Sequence, residues 1–157
     1  MSGLQTNRLP RRRALLRALG TLCVLAVLPL RAFAEQWNKA AFEARAFSDA
    51  MRGIGAASVR PTDQIEFKAP EIAENGAIVP IEVRSRLPGA QTIHVFAEKN
   101  PNPLAASFDF MEGAEPFFAT RIKMRESGKL TVVVKAQGGF FSISRDVKVT
   151  IGGCGTT

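Results

Sequence analysis

Two different periods of apolar residues divide the chain. From Trp37 to Ile54 the apolar positions Trp37, Ala41, Ala44, Phe47, Met51 and Ile54 recur at steps of three and four. That spacing predicts one helix with a single apolar face. Gly53 and Gly55 mark its expected end. Beyond Pro61 the period becomes two. Val79, Ile81 and Val83 alternate with Pro80, Glu82 and Arg84, and Ile93, Val95 and Ala97 alternate with His94 and Phe96. Phe118, Thr120, Ile122 and Met124 form a third such set. Leu130 to Val134 is continuously apolar or β-branched, as expected of a strand covered on both faces. In the last stretch Phe141, Ile143, Val147, Val149 and Ile151 share one side, and only Arg145 breaks the pattern.

Turn residues separate these runs: Glu74-Asn75-Gly76, Pro88-Gly89, Asn100-Pro101-Asn102-Pro103, Ser127-Gly128 and Gly138-Gly139. Six or seven strands at this spacing, with no βαβ rhythm, predict an all-β antiparallel sandwich preceded by the helix. No internal repeat is visible.

Charge changes the picture of the N-terminus. The chain of 157 residues has a formal charge of +7, from 21 basic and 14 acidic side chains. Arg8, Arg11, Arg12, Arg13, Arg17 and Arg31 precede residue 35, and no acidic residue does. Removing those six arginines from 21 leaves 15 basic residues against 14 acidic ones, a net charge of +1. The remainder therefore offers no basic face for nucleic acid. The apolar run Ala18–Leu30 has the length of a signal-peptide core and is short for a bilayer span. Ala32-Phe33-Ala34 supplies the small residues of a cleavage site, so residues 1–34 read as a cleaved export signal. A membrane anchor is the alternative. Arg12-Arg13 followed by Ala14, Leu15 and Leu16 resembles a twin-arginine signal, which places the protein in the periplasm. Cys23 invites a lipoprotein reading, but the bulky Leu22 before it does not suit that processing.

Candidate chemistry is concentrated at the other end. Past the leader there is one cysteine, Cys154, so an internal disulfide is excluded. It stands in Gly152-Gly153-Cys154-Gly155-Thr156-Thr157, directly after the last expected strand. Glycine on both sides removes Cβ constraints and lets the backbone enter a narrow channel. Three residues of extended chain carry the thiol about 10 Å past the strand end. The expected domains are thus residues 1–34, a helix-plus-sandwich body at 35–151 and a flexible arm at 152–157.

A nucleophilic enzyme holds its thiol between a base and an orienting group. No cation or imidazole lies within the last eight residues. His94, the one histidine, reads as a structural or exposed strand residue. Glu112 and Glu115 flank a Gly-Ala turn and read as solvated loop charges. One cysteine and one histidine do not make a metal site, so neither metal nor cofactor is expected.

The ending Val147-Lys148-Val149-Thr150-Ile151-Gly152-Gly153-Cys154-Gly155 resembles the C-terminus of the SoxY family of bacterial thiosulfate oxidation. The segments Ala69–Ala77, Val79–Val83, Glu98–Leu104 and Thr120–Met124 are similar to the family in the same order. The resemblance implies an immunoglobulin-like sandwich paired with a SoxZ-like subunit as a heterodimer. It implies that Cys154 is the covalent attachment point for sulfur intermediates, with Gly152, Gly153 and Gly155 as the arm, and that the protein is a carrier without turnover of its own. SoxAX-like enzymes would join thiosulfate to the thiol, SoxB-like enzymes would release sulfate, and SoxCD-like enzymes would oxidise the remaining sulfur. One departure is Thr156-Thr157, where family members commonly end in glycine; a β-branched residue there is stiffer and bulkier. The same unpaired thiol also supports an alternative, an exported interaction module joined through an intermolecular Cys154 disulfide.

Overall fold

The computed structural model describes residues 38–151. The chain divides into two units, Met1–Trp37 and Asn38–Thr157, and the described residues fall in the second. The expected leader, Trp37 and the segment 152–157 lie outside the described residues.

The expected single helix is two. Helix α1 spans Lys39–Glu43 and α2 spans Phe47–Gly53. Between them Ala44 has ψ 138° and Ala46 is extended, which breaks the helical run. The break folds α1 back against α2. The Asn38 side chain accepts from Ala41 N at 3.1 Å and donates to Gly53 O at 2.6 Å, tying the start of α1 to the end of α2. The two elements approach so closely that a Cβ at Gly53 would lie 2.8 Å from the Ala41 Cα. Ala41 and Ala50 are both fully buried, an arrangement suited to the hairpin's packing on the sheet. The Gly53–Gly55 end is as expected, with Gly55 at φ 79°.

Among the described residues nine strands follow, more than the six or seven expected: β1 (Val59–Pro61), β2 (Ile65–Lys68), β3 (Ile72–Asn75), β4 (Val79–Ser85), β5 (Thr92–Ala97), β6 (Leu104–Asp109), β7 (Phe117–Ile122), β8 (Gly128–Ala136) and β9 (Gly139–Ile151). The larger sheet runs β1-β9-β8-β5-β6 and the smaller runs β2-β4-β7. The main ladders β9-β8-β5-β6 and β2-β4-β7 are antiparallel, as the sequence predicts. The short strands β1 and β3 instead pair parallel with β9.

Alternation decides which face each strand buries. Val79, Ile81 and Val83 of β4 turn inward, while Pro80 and Glu82 face outward. They meet Ile93, Val95, Leu130, Val132 and Val134 of the larger sheet in the sandwich core. The outer face of that sheet carries a second apolar cluster, Phe96, Leu104 and Val133, covered by Ala41, Phe47, Ala50 and Met51 of the helical hairpin. Phe47 meets Phe96 edge-on at 5.3 Å between ring centroids. Burial on both faces explains the continuously apolar β8.

The segment from β1 to β3 runs along one edge of β9. Strand β1 pairs with Phe140–Ser142, the chain then crosses to the smaller sheet as β2, and β3 returns to pair from Lys148 to Ile151. Arg145, the residue out of pattern, stands at the crossing. Its Nε donates to Phe67 O of β2 at 2.7 Å and so bridges the two sheets.

Candidate functional site

Cys154 and its flanking Gly152, Gly153 and Gly155 lie outside the described residues. The structure does describe the strand that delivers them. Strand β8 accompanies β9 only as far as the pair Gly128 and Val147. Past that point β9 is held by other groups. On one side β3 continues the parallel pairing, with Ala73 opposite Val149 and Asn75 opposite Ile151. Lys148 N donates to Glu71 O at 2.9 Å, and the Thr150 hydroxyl donates to Glu74 O at 2.9 Å. On the other side the Ser127 hydroxyl accepts from Val149 N at 2.9 Å and donates to Val149 O at 3.2 Å.

The final carbonyl is held as well. Gly76 N donates to Ile151 O at 2.8 Å. Gly76 itself is fixed in a tight turn: Asn75 Oδ1 accepts from Ala77 N at 2.8 Å, and Gly76 O accepts from Met124 N at 2.7 Å. Ile151 is 67% exposed, so packing contributes little to holding this strand end and hydrogen bonding does most of it. The sequence presents Ser127-Gly128 and Asn75-Gly76 as turn signals only. Their role as clamps depends on pairing between distant segments, which no local pattern displays.

His94 sits far from this end. It lies on β5 opposite Val133, and Val133 lies opposite Ser142 of β9. Nine residues of strand separate Ser142 from Ile151, about 30 Å. A thiol about 10 Å beyond Ile151 does not reach it. His94 is buried, and its Nδ1 lies 3.0 Å from the Ser107 hydroxyl. Burial pushes its pKa down to about 4, with Asp109 opposing that shift and Lys135 adding to it. The imidazole is therefore neutral at neutral pH and serves as a structural hydrogen-bonding group.

The loop carboxylates are exposed, and Glu115 pairs with Arg84 across the sheet edge. Glu112 lines a groove of about 560 Å³ with Arg86, Gln91, Phe110, Met111 and Gln137. Gln137 belongs to the β8–β9 turn, so this groove lies at the opposite end of β9 from the cysteine segment. Among the described residues no group of three or more His, Cys, Asp or Glu could hold a metal ion.

What remains is a strand whose last residues are held from both sides and which leads into a glycine-flanked cysteine. Comparison with known proteins agrees with this picture. No curated protein matches significantly. Among solved structures, the sulfur carrier protein SoxY from Chlorobium limicola f thiosulfatophilum is 40% identical, with a TM-score of 0.62, over 69% of this chain and 96% of that one. A superoxide reductase (neelaredoxin) from Ignicoccus hospitalis is 19% identical, with a TM-score of 0.51, over 58% of this chain and 94% of that one, and this likeness is one of fold alone. The family described as "Sulfur oxidation protein SoxY" matches residues 51–154, so the match runs from α2 through both sheets and ends on the cysteine itself. On that match and the 40% identity, the chain belongs to the SoxY family of sulfur oxidation proteins.

Proposed function

We propose that this protein is a covalent sulfur carrier of thiosulfate oxidation, with the Cys154 thiol as the point of attachment. The observation that carries the reading is a family match that extends to residue 154, on a chain whose last strand is clamped three residues before it. Gly152, Gly153 and Gly155 form the arm that presents the thiol. The protein works in the periplasm after residues 1–34 are removed, paired with a SoxZ-like subunit. It supplies no turnover of its own: the one imidazole is buried about 30 Å from the strand end, so it is no base for this thiol.

The chemistry falls to visiting enzymes. A SoxAX-like c-type cytochrome complex forms the bond between the Cys154 sulfur and the outer sulfur of thiosulfate. The thiol loses its proton and the cytochrome takes two electrons, leaving cysteine S-thiosulfonate. A SoxB-like hydrolase adds water across the terminal sulfur–sulfur bond. Sulfate leaves with release of protons, and a persulfide stays on Cys154. A SoxCD-like enzyme, where present, oxidises that sulfur before a second hydrolysis.

Intact-mass measurement of the protein from the periplasm of thiosulfate-grown cells tests this reading. The expected species begins at Glu35 and carries sulfur-oxyanion mass that reductant removes. Cys154→Ser is expected to lack the adduct and to abolish thiosulfate oxidation while the fold is kept. Undiminished oxidation by Cys154→Ser in cells with no second carrier would overturn the proposal. So would a stable Cys154 disulfide dimer as the only working form.

A further inference from the structure

The near-neutral total charge of the body conceals a local excess. The β5–β6 loop and the stretch that follows β7 carry Lys99, Arg121, Lys123 and Arg125 against Glu98 and Glu126, four basic residues to two acidic, a net +2. The residues after the leader total +1, so everything else in the body sums to −1. All four cations are exposed, and none forms an ion pair among the described residues. By contrast Lys39, Arg52, Lys68, Arg84 and Arg86, on the helical hairpin and around β2 and β4, are each paired with a carboxylate. Glu98 is turned away from the group. It accepts from the Thr131 hydroxyl at 2.7 Å, and Thr131 shares the face of Val133, under the hairpin. That leaves Glu126 alone against the four cations.

Two contacts gather the cations into one rim. The Asn100 side chain donates to Lys123 O at 2.7 Å and accepts from Arg125 N at 2.8 Å, so it staples the β5–β6 loop to the chain after β7. Lys99 lies over the start of β8: a Cβ at Gly128 would meet its Cγ at 2.7 Å, and glycine leaves the room. Met124, between Lys123 and Arg125, is buried and donates to Gly76 O, while Gly76 N donates to Ile151 O. The rim therefore stands beside the end of β9, one turn away from Ile151. From Arg121 to Arg125 it runs about 13 Å along extended chain. That spread, on exposed side chains, matches the face of a macromolecule and exceeds the span of one small oxyanion. We infer that Lys99, Arg121, Lys123 and Arg125 form a docking surface for an acidic protein face, that of an enzyme which acts on the carried sulfur. The partner rests on the carrier reading above; the rim itself does not. Unpaired cations held on a fixed backbone attract an acidic face during encounter and set its orientation, with little cost in broken internal pairs.

The test measures binding of the mature chain to the cytochrome complex proposed to charge the thiol. Cys154→Ser is the background throughout, so no sulfur chemistry enters. The Kd of this parent is expected to rise steeply between about 20 and 200 mM salt. The triple variant Lys99→Gln, Lys123→Gln, Arg125→Gln is expected to weaken binding about tenfold at low salt and to flatten the salt dependence, with the Tm of the parent. A matched triple variant of paired cations, Lys39→Gln, Arg52→Gln, Arg86→Gln, is expected to stay within about twofold of the parent. Each single rim variant is expected to weaken binding about twofold, and the singles decide the question should the triple fail to fold. A Kd unmoved by the rim variants overturns the inference, as does a parent Kd indifferent to salt or a control that weakens binding equally. So does a rim that holds phosphatidylglycerol vesicles while its loss leaves the cytochrome complex bound as before. Failure of the carrier reading shows instead as undiminished thiosulfate oxidation by Cys154→Ser, which this binding measurement does not touch.

Discussion

His94 links burial to pH more directly than any other described side chain. Its pKa falls from about 6.5 to about 4 in the folded protein, chiefly because burial penalises the imidazolium. The unfolded chain therefore binds more protons than the native one between these values, and stability rises with pH across that window. The contribution is fully present above pH 6.5 and is lost as the pH falls toward 4. Such a shift corresponds to about 3 kcal/mol. Denaturant unfolding of the parent and of His94→Asn at pH 7 and pH 4.5 should show a smaller loss in the variant, and equal losses would contradict the assignment. The sequence reading left His94 as either a structural or an exposed strand residue, and its burial decides for the first. Ser107 as its partner was not legible, because the contact joins two strands across a ladder. Arg145 was legible in the same partial way. The sequence marked it only as the residue out of pattern in β9, and its partner, the Phe67 carbonyl, appears only once β2 crosses beside it.

The helical hairpin shows where periodicity stops being informative. The apolar face from Ala41 to Ile54 was correct, since Ala41, Ala44, Phe47, Met51 and Ile54 all belong to the cluster over Phe96 and Val133. The break at Ala44–Ala46 was not legible, because three alanine-rich positions carry no stop signal and alanine favours a helix. Packing overrode that preference. Gly53 then gains a role beyond ending α2. Glycine-to-alanine changes inside a helix usually stabilise by up to about 1 kcal/mol. Here the added Cβ would meet the backbone of Ala41 at 2.8 Å, and backbone cannot swing aside as a side-chain tip can. Gly53→Ala should therefore destabilise by roughly 1–3 kcal/mol, reversing the usual sign. Thermal unfolding checks this, and a raised Tm would show that the hairpin yields easily. Strands β1, β2, β3 and β6 were not among the runs read from the sequence, and for β1 and β3 the reason is related. Each is mostly exposed, so neither shows the alternation that revealed β4 and β9.

At the scale of the molecule, the two sheets share no backbone ladder among the described residues. Their faces are joined by the core, and their edges by two side-chain contacts of different chemistry. On the β9 side Arg145 reaches the Phe67 carbonyl of β2. On the other side Phe108 of β6 stacks on Phe118 of β7, with ring centroids 3.9 Å apart. The sandwich itself was legible because alternation and turn spacing depend on the sequence alone. Which strands form the edges was not, because that follows from pairing order. The end of β9 showed the opposite balance: the cysteine and glycines that follow it were plain in the sequence, while the contacts that hold the strand end required the fold. The two edge contacts lie at opposite ends of the β2-β4-β7 sheet, about 10 Å apart across two strand spacings, and share no partner. They should therefore act independently. Phe118→Ala removes a half-buried ring and is expected to cost about 2 kcal/mol, and Arg145→Ala about 1 kcal/mol for the lost bridge. In a double-mutant cycle followed by denaturant unfolding, the two losses should add to within about 0.5 kcal/mol. A coupling well above that would mean the core transmits strain from one edge to the other, and the sandwich would have to be treated as one cooperative closure.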